Sequence, residues 1–341
     1  MRNGRPDNRQ WIKQTLAHHE PESVPFNISL SPLPRAALER HYGVTDVEAA
    51  LDFPIRMSGT KTIKPIYASP AVYGPTLRDE FGVGWSTNEI DRGAPIGPCL
   101  PEPDLRGYRF PDPAAQYRFE ELGSWCAHNR EHFIVLWVGD LWERATFMRG
   151  MESLLLDLIL HPQFVEELLR GIADYILATM QILFARFEFD AIALSDDYGT
   201  QRALVMAPEL WRRFLKPLLR EIYSLAHRHE RFTLHHSCGN NNAIVADLIE
   251  IGLDILHPVQ PEAMDIVALK REFGRELTLC GGLRTQDLLP HASAAAVRAE
   301  VRRLKQVLGR GGGYILEPGI TLQADIPVEN IVAIIEEARA G

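Results

Sequence analysis

His236, Cys238 and Cys280 are the residues whose types and spacing point most directly to chemistry. Each falls where a strand is expected to end. Phe232-Thr-Leu-His-His-Ser-Cys-Gly239 reads as a buried strand breaking into a loop, and Glu276-Leu-Thr-Leu-Cys-Gly-Gly282 reads the same way. Two thiolates and one imidazole make a soft donor set suited to Zn²⁺, and three protein ligands leave a fourth position for substrate. The competing reading is that both cysteines are ordinary buried thiols. A His-x-Cys pair with one distant cysteine is not a closed finger pattern, so spacing alone favours the metal only modestly. The common position at strand ends favours it further.

Other polar residues fall at the same kind of place. Asp196 and Asp197 end a buried strand, and adjacent carboxylates there would push one pKa upward; they either act in the site or cap the following turn. Asp140 follows Gly139 at another strand end and is a candidate for the pocket wall. Glu317 is read either as a fourth ligand or base, or as a solvated loop carboxylate. Gln260, between two prolines, is a candidate hydrogen-bond partner for substrate, as are Arg284 with Gln286 and Tyr198. Strand alternation turns His235 away from the side that His236 faces, unless the register slips by one. Glu152 is better explained as a carboxylate favoured at a helix start, and Cys99 and Cys126 are given no metal role.

Positioning these residues requires a regular frame, and from Phe133 onward the sequence supplies one. Apolar strands are expected over 133–139, 191–195, 232–235, 254–257, 277–280 and 313–316, each followed by a segment of helical periodicity. Strict alternation predicts a parallel sheet covered by helices. A closed (β/α)₈ barrel is preferred to an open doubly wound sheet because polar residues follow nearly every strand, whereas an open sheet gathers them at one switch point. The chain then reads as one barrel domain over 1–341, with a helical extension over 1–20 and an insertion near the mouth over 80–125. The first strand is expected in Ser23-Val-Pro-Phe-Asn-Ile-Ser29.

Composition narrows the function. The 341 residues are 46% hydrophobic and 24% charged, with a formal net charge of -9. That balance suits a soluble enzyme and opposes a nucleic-acid binder, which should be basic. No uncharged apolar run is expected to span a bilayer. Met1-Arg-Asn-Gly-Arg-Pro has no apolar stretch behind its charges and does not read as a signal peptide. Four cysteines in a chain this long suggest no disulfide framework, hence reduced thiols and a cytoplasmic location.

His235-His-Ser-Cys-Gly239, Asp254-Ile-Leu-His-Pro-Val-Gln-Pro-Glu262, Cys280-Gly-Gly-Leu-Arg-Thr-Gln286 and Gly311-Gly-Gly-Tyr-Ile-Leu316 resemble segments of the uroporphyrinogen decarboxylase-like barrels. Asp196-Asp-Tyr-Gly-Thr-Gln201 and Asp325-Ile-Pro-Val-Glu-Asn330 match as well. Before Phe133 the likeness thins to Glu80-Phe-Gly-Val-Gly-Trp85. The resemblance implies one of two chemistries. The metal-free decarboxylases carry an early arginine-rich segment for porphyrin carboxylates, which Val24-Pro-Phe-Asn-Ile-Ser29 lacks. The corrinoid-dependent methyltransferases of the zinc type use a His-x-Cys…Cys site, which His236, Cys238 and Cys280 match. That branch implies methyl transfer between a small methyl ether or thiol and a corrinoid (cobalamin) on a partner protein, and a homodimer. The alternatives are a decarboxylase of a carboxylated ring and a non-catalytic binding barrel.

Overall fold

A computed structural model describes residues 7–340. The first six residues, read above as no signal peptide, lie outside the described residues. In chain order the strands are β1 Ile55–Gly59, β2 Thr76–Arg78, β3 Gly84–Ser86, β4 Pro95–Gly97, β5 Phe133–Gly139, β6 Ala191–Ser195, β7 Phe232–His236, β8 Ile255–Val259, β9 Thr278–Leu283 and β10 Tyr314–Pro318. Seven of them form one parallel sheet in the order β1-β5-β6-β7-β8-β9-β10, and β2, β3 and β4 form a small antiparallel sheet.

The large sheet curls around an inner cluster. Ile55, Val135, Ala193, Leu234, Ile255 and Ile315 point into it, one from each of six strands, and Cys280 joins them from β9. The helix Asn8–Leu16 plugs the amino-terminal end of this interior with Ile12 and Leu16. Arg9 and Lys13 of that helix both pair with Asp190, at 2.6 and 2.9 Å. Burying each aliphatic side chain of the cluster contributes roughly 1.5–3 kcal/mol. The residues between them point outward and pack under the helices, as period-two alternation requires. The helix Pro162–Arg186 is long and apolar enough to cross a membrane by length and composition, contrary to the sequence expectation. Here it packs against β5 and the helix Lys216–Arg228, with Leu168, Leu169, Ile172 and Leu183 fully buried.

Among the described residues the expected eight-stranded barrel is matched by seven regular parallel strands, not eight. The predicted first strand at Ser23–Ser29 is an extended stretch bridged to the end of the chain at Phe26–Leu316 and Leu30–Leu322. Asn27 N–H donates to Leu316 C=O and Leu316 N–H to Pro25 C=O, but proline has no N–H with which to extend the ladder. Regular pairing starts instead at β1, which the sequence reading missed. Its Arg56 is buried and donates to Phe53 C=O and Glu48 C=O, so the strand lacks an apolar signature. The irregular stretch ahead of the helix Leu122–His128 is tied down by Leu100 N–H to Met148 C=O and by Tyr108 Oη to Phe81 C=O.

Candidate functional site

At the carboxyl ends of the parallel strands lies a cavity of about 450 Å³. Met57, Trp137, Ser195, His236, His257 and Glu317 line it from six strands. Each stands two residues beyond an inner-cluster residue of its own strand, so the alternation that fills the interior also delivers the site. Register reinforces this, with Ser195 opposite His236 and His236 opposite His257. Lys64, Trp85 and Arg92 close the cavity from the segment around the small sheet, with Arg144 and Phe147 beside them.

Two groups of metal-ligating side chains meet here. Asp197, His236 and Cys238 form one, and His257, Cys280 and Glu317 the other, the donor atoms of each lying within 4.8 Å of one another. Cys238 Sγ is 3.5 Å from His236 Nε2, and Cys280 Sγ donates to Glu317 Oε2 at 3.2 Å. The groups are joined by His236 Nδ1 and His257 Nδ1 at 2.9 Å. The structure thus brings His236 and Cys238 together, with Cys280 in the adjoining group. His257, given no role on sequence, links them; its position at the end of the predicted strand 254–257 was the available signal, although β8 runs on past it to Val259.

One proton between the two Nδ1 atoms couples the tautomers of the two rings. If His236 donates it, His236 Nε2 keeps a lone pair facing Cys238, and His257 Nε2–H faces Glu317 Oε2 at 3.6 Å. Burial lowers the pKa of both rings, which keeps them neutral and ligand-competent; Asp197 partly offsets this at His236. Burial, followed by Asp197 and Glu143, raises the Cys238 thiol, and burial followed by Glu317 raises Cys280. Burial pushes Glu317 up to about 6 despite hydrogen bonds from Cys280, Asn27 and Ser29. Two thiols that cannot ionise alone, beside two neutral imidazoles and a carboxylate, are a donor set that a divalent cation would satisfy.

The remaining predicted residues divide by what their side chains touch. Asp197 Oδ1 accepts the Cys238 N–H at 2.7 Å and lies 3.6 Å from His236 Nε2. Asp196 is fully buried and turned away, accepting from Leu141 N–H, Glu143 N–H and Tyr198 Oη. Asp140 lines the cavity and pairs with Arg144, and Glu317 sits in the wall rather than in a solvated loop. Tyr198, expected to bind substrate, is instead a core residue without exposure, stacked on His235. Gln260 is likewise occupied by backbone, accepting from Gly239 N–H and donating to Gly319 C=O. Arg284 is absent from the cavity lining and pairs with Asp287 at 3.3 Å. His235 faces the helices, its Nδ1 2.6 Å from Tyr223 Oη, and burial lowers it to about 3. Glu152 is exposed, and Cys99 and Cys126 lie apart from both groups.

Known proteins resemble this chain in sequence and in fold. A methylcobamide:CoM methyltransferase, MtaA, of Methanosarcina barkeri is 27% identical over 146 residues, 43% of this chain and 40% of the relative. Its counterpart from the Fusaro strain is 26% identical over the same length. The match therefore spans well under half of those relatives. A solved methyltransferase from Methanosarcina mazei superposes with a TM-score of 0.70 at 18% identity, covering 98% of both chains, and so shares the fold. Residues 133–341, more than half of the chain and the part that supplies six of the seven parallel strands, match the profile of the uroporphyrinogen decarboxylase (URO-D) family; the chain belongs to that family.

Proposed function

We propose that the chain is a zinc-dependent methyltransferase that moves a methyl group between a small methyl ether or thiol and cobalamin carried by a separate corrinoid protein. The observation that carries this reading is the pair of adjoining donor groups, one with His236 and Cys238 and one with Cys280 and Glu317, joined through His236 and His257 at the cavity wall. The relatives named for methylcobamide chemistry support it. His236, Cys238 and Cys280 would hold the metal, with Glu317 beside Cys280. Zinc there would act as a Lewis acid, making a bound thiol a better nucleophile or an ether oxygen a better leaving group.

The chain's own residues prepare that position. His257 fixes the His236 ring through Nδ1, which is the role an outer partner plays for a ligating histidine. Asp197 fixes the Cys238 backbone. Trp85 and Phe147 pack edge to face at 5.0 Å and, with Trp137, give the cavity an apolar patch among its charged side chains. We read the Phe26–Leu30 stretch as the eighth strand of a (β/α)₈ barrel and the whole chain as one domain. The corrinoid partner would dock over the mouth, in a reducing compartment such as the cytoplasm that keeps the cysteines as thiols. The test is spectroscopic. Zinc-loaded protein should demethylate methylcobalamin with a thiol acceptor, or methylate cob(I)alamin from a methyl ether. His236→Ala and Cys280→Ala should each lower the rate by at least about 10²-fold. Absence of turnover in both directions would contradict the proposal.

A further inference from the structure

Ser195 brings a hydroxyl to the cavity wall beside His236. Behind it, Glu143 Oε2 accepts the Ser195 Oγ–H at 3.0 Å. Glu143 lies in the first turn of the helix Trp142–Arg149, where a carboxylate is favoured by the helix dipole alone. Two observations go beyond that explanation. Its side chain is turned to the cavity hydroxyl rather than to solvent. Its backbone is pinned by the buried Asp196, which accepts both Leu141 N–H and Glu143 N–H.

The charges around Glu143 are mostly acidic. Asp140 precedes its helix, Asp196 and Asp197 follow β6, and the charge of Glu143 in turn raises the Cys238 thiol of the β7 loop. Arg92 is the opposing cation from the small-sheet segment, while Arg144 on the same helix is paired with Asp79 and Asp140. Burial first, then Asp197 and Asp140, push Glu143 up to about 8. A carboxyl group in this state exchanges protons near neutrality, as general acid–base chemistry needs.

We propose that Glu143 and Ser195 form a proton relay to the substrate heteroatom, with Ser195 in contact with the substrate and Glu143 as the reservoir behind it. This rests on the methyl-transfer reading above. In ether cleavage the methyl carbon bonds to the cob(I)alamin nucleophile as the C–O electron pair leaves with oxygen. That oxygen takes the Ser195 proton, and Ser195 recovers one from Glu143, which ends as the carboxylate. In thiol methylation the S–H proton passes to Ser195 and on to the Glu143 carboxylate. The S–C bond forms, and the cobalt–carbon pair returns to cobalt as cob(I)alamin. Both directions balance without an added oxidant or reductant.

The experiment compares wild type, Glu143→Gln, Glu143→Asp and Ser195→Ala as purified full-length protein, assayed against pH with cob(I)alamin and methylcobalamin. Wild type should show a rate limb near the Glu143 value. Glu143→Gln should lose about 10²-fold or more and that limb with it, and Glu143→Asp should keep the limb at a reduced rate. Infrared titration supplies a readout independent of turnover: a carboxylic-acid band that titrates in wild type, shifts in Ser195→Ala and is missing in Glu143→Gln. An active wild type matched by Glu143→Gln in rate and pH profile would overturn the relay alone, as would a band that Glu143→Gln does not remove. An inert wild type would overturn the methyl-transfer reading, and the relay with it.

Discussion

Asp196 and Asp197 are neighbours in sequence with opposite uses, because the chain leaves β6 between Ser195 and Tyr198 and the two side chains diverge. Asp196 satisfies two helix N–H groups and the Tyr198 hydroxyl in a fully buried setting. Asp196→Ala leaves all three donors without a partner and should destabilise the fold by about 2–4 kcal/mol in denaturant titrations. Asp197→Ala, at a half-exposed site, should cost about 1 kcal/mol or less yet weaken metal retention, read as faster zinc loss to a chelator. Glu143 makes a second prediction. Its folded pKa is raised above the ordinary glutamate value by burial and its acidic neighbours. The stability it contributes is therefore complete below about pH 4.5 and is lost as pH rises through about 8. Glu143→Gln should abolish that loss, so wild type should lose about 4 kcal/mol more than the variant between pH 5 and 9. The carboxylate pair was visible in the sequence, but which member faces the site was not. Period-two alternation stops where the strand stops, and the direction is decided by orphan N–H groups of a helix far along the chain.

The strand ends are as decisive as the side chains. Gly199 and Gly239 press the β6 and β7 loops together: a Cβ on Gly239, at φ +84°, would lie 2.4 Å from Gly199 C. One on Gly199 would lie 2.8 Å from Cys238 O, so the loop that carries Cys238 has no room for a side chain on either residue. Gly239→Ala should cost about 2 kcal/mol or more and lower zinc content, measured by thermal melting and metal analysis. The strands from β5 to β10 were legible because burial on both faces writes a continuous apolar run. β1 was not, because Arg56 is buried there, its guanidinium satisfied by the Phe53 and Glu48 carbonyls just ahead of the strand. His236 and Cys238 were legible from their placement after an apolar strand. His257 and Ser195 also ended predicted strands, but it was register that set them beside His236.

At the scale of the molecule, a curled parallel sheet delivers alternating side chains to one cavity, and a small antiparallel sheet covers it with Trp85 and Arg92. Trp85 donates to Asp79 Oδ2 at 2.9 Å and packs on Phe147. Trp85→Ala should cost about 3–5 kcal/mol and open the cavity to water, raising KM more than it lowers kcat. This cover was the least legible part of the sequence. Its elements are three residues long, with no periodicity to read, and it is held by side chain to backbone bonds across distant segments. The central claim is that His236 and Cys238 of one donor group and Cys280 of the other hold a single zinc ion. Zinc per chain in purified protein, compared across wild type, His236→Ala and Cys280→Ala, tests it most directly. The expected result is about one zinc per chain in wild type and loss of it in both variants, each still folded. Wild type with intact thiols and no zinc, even after exposure to the ion, would contradict it.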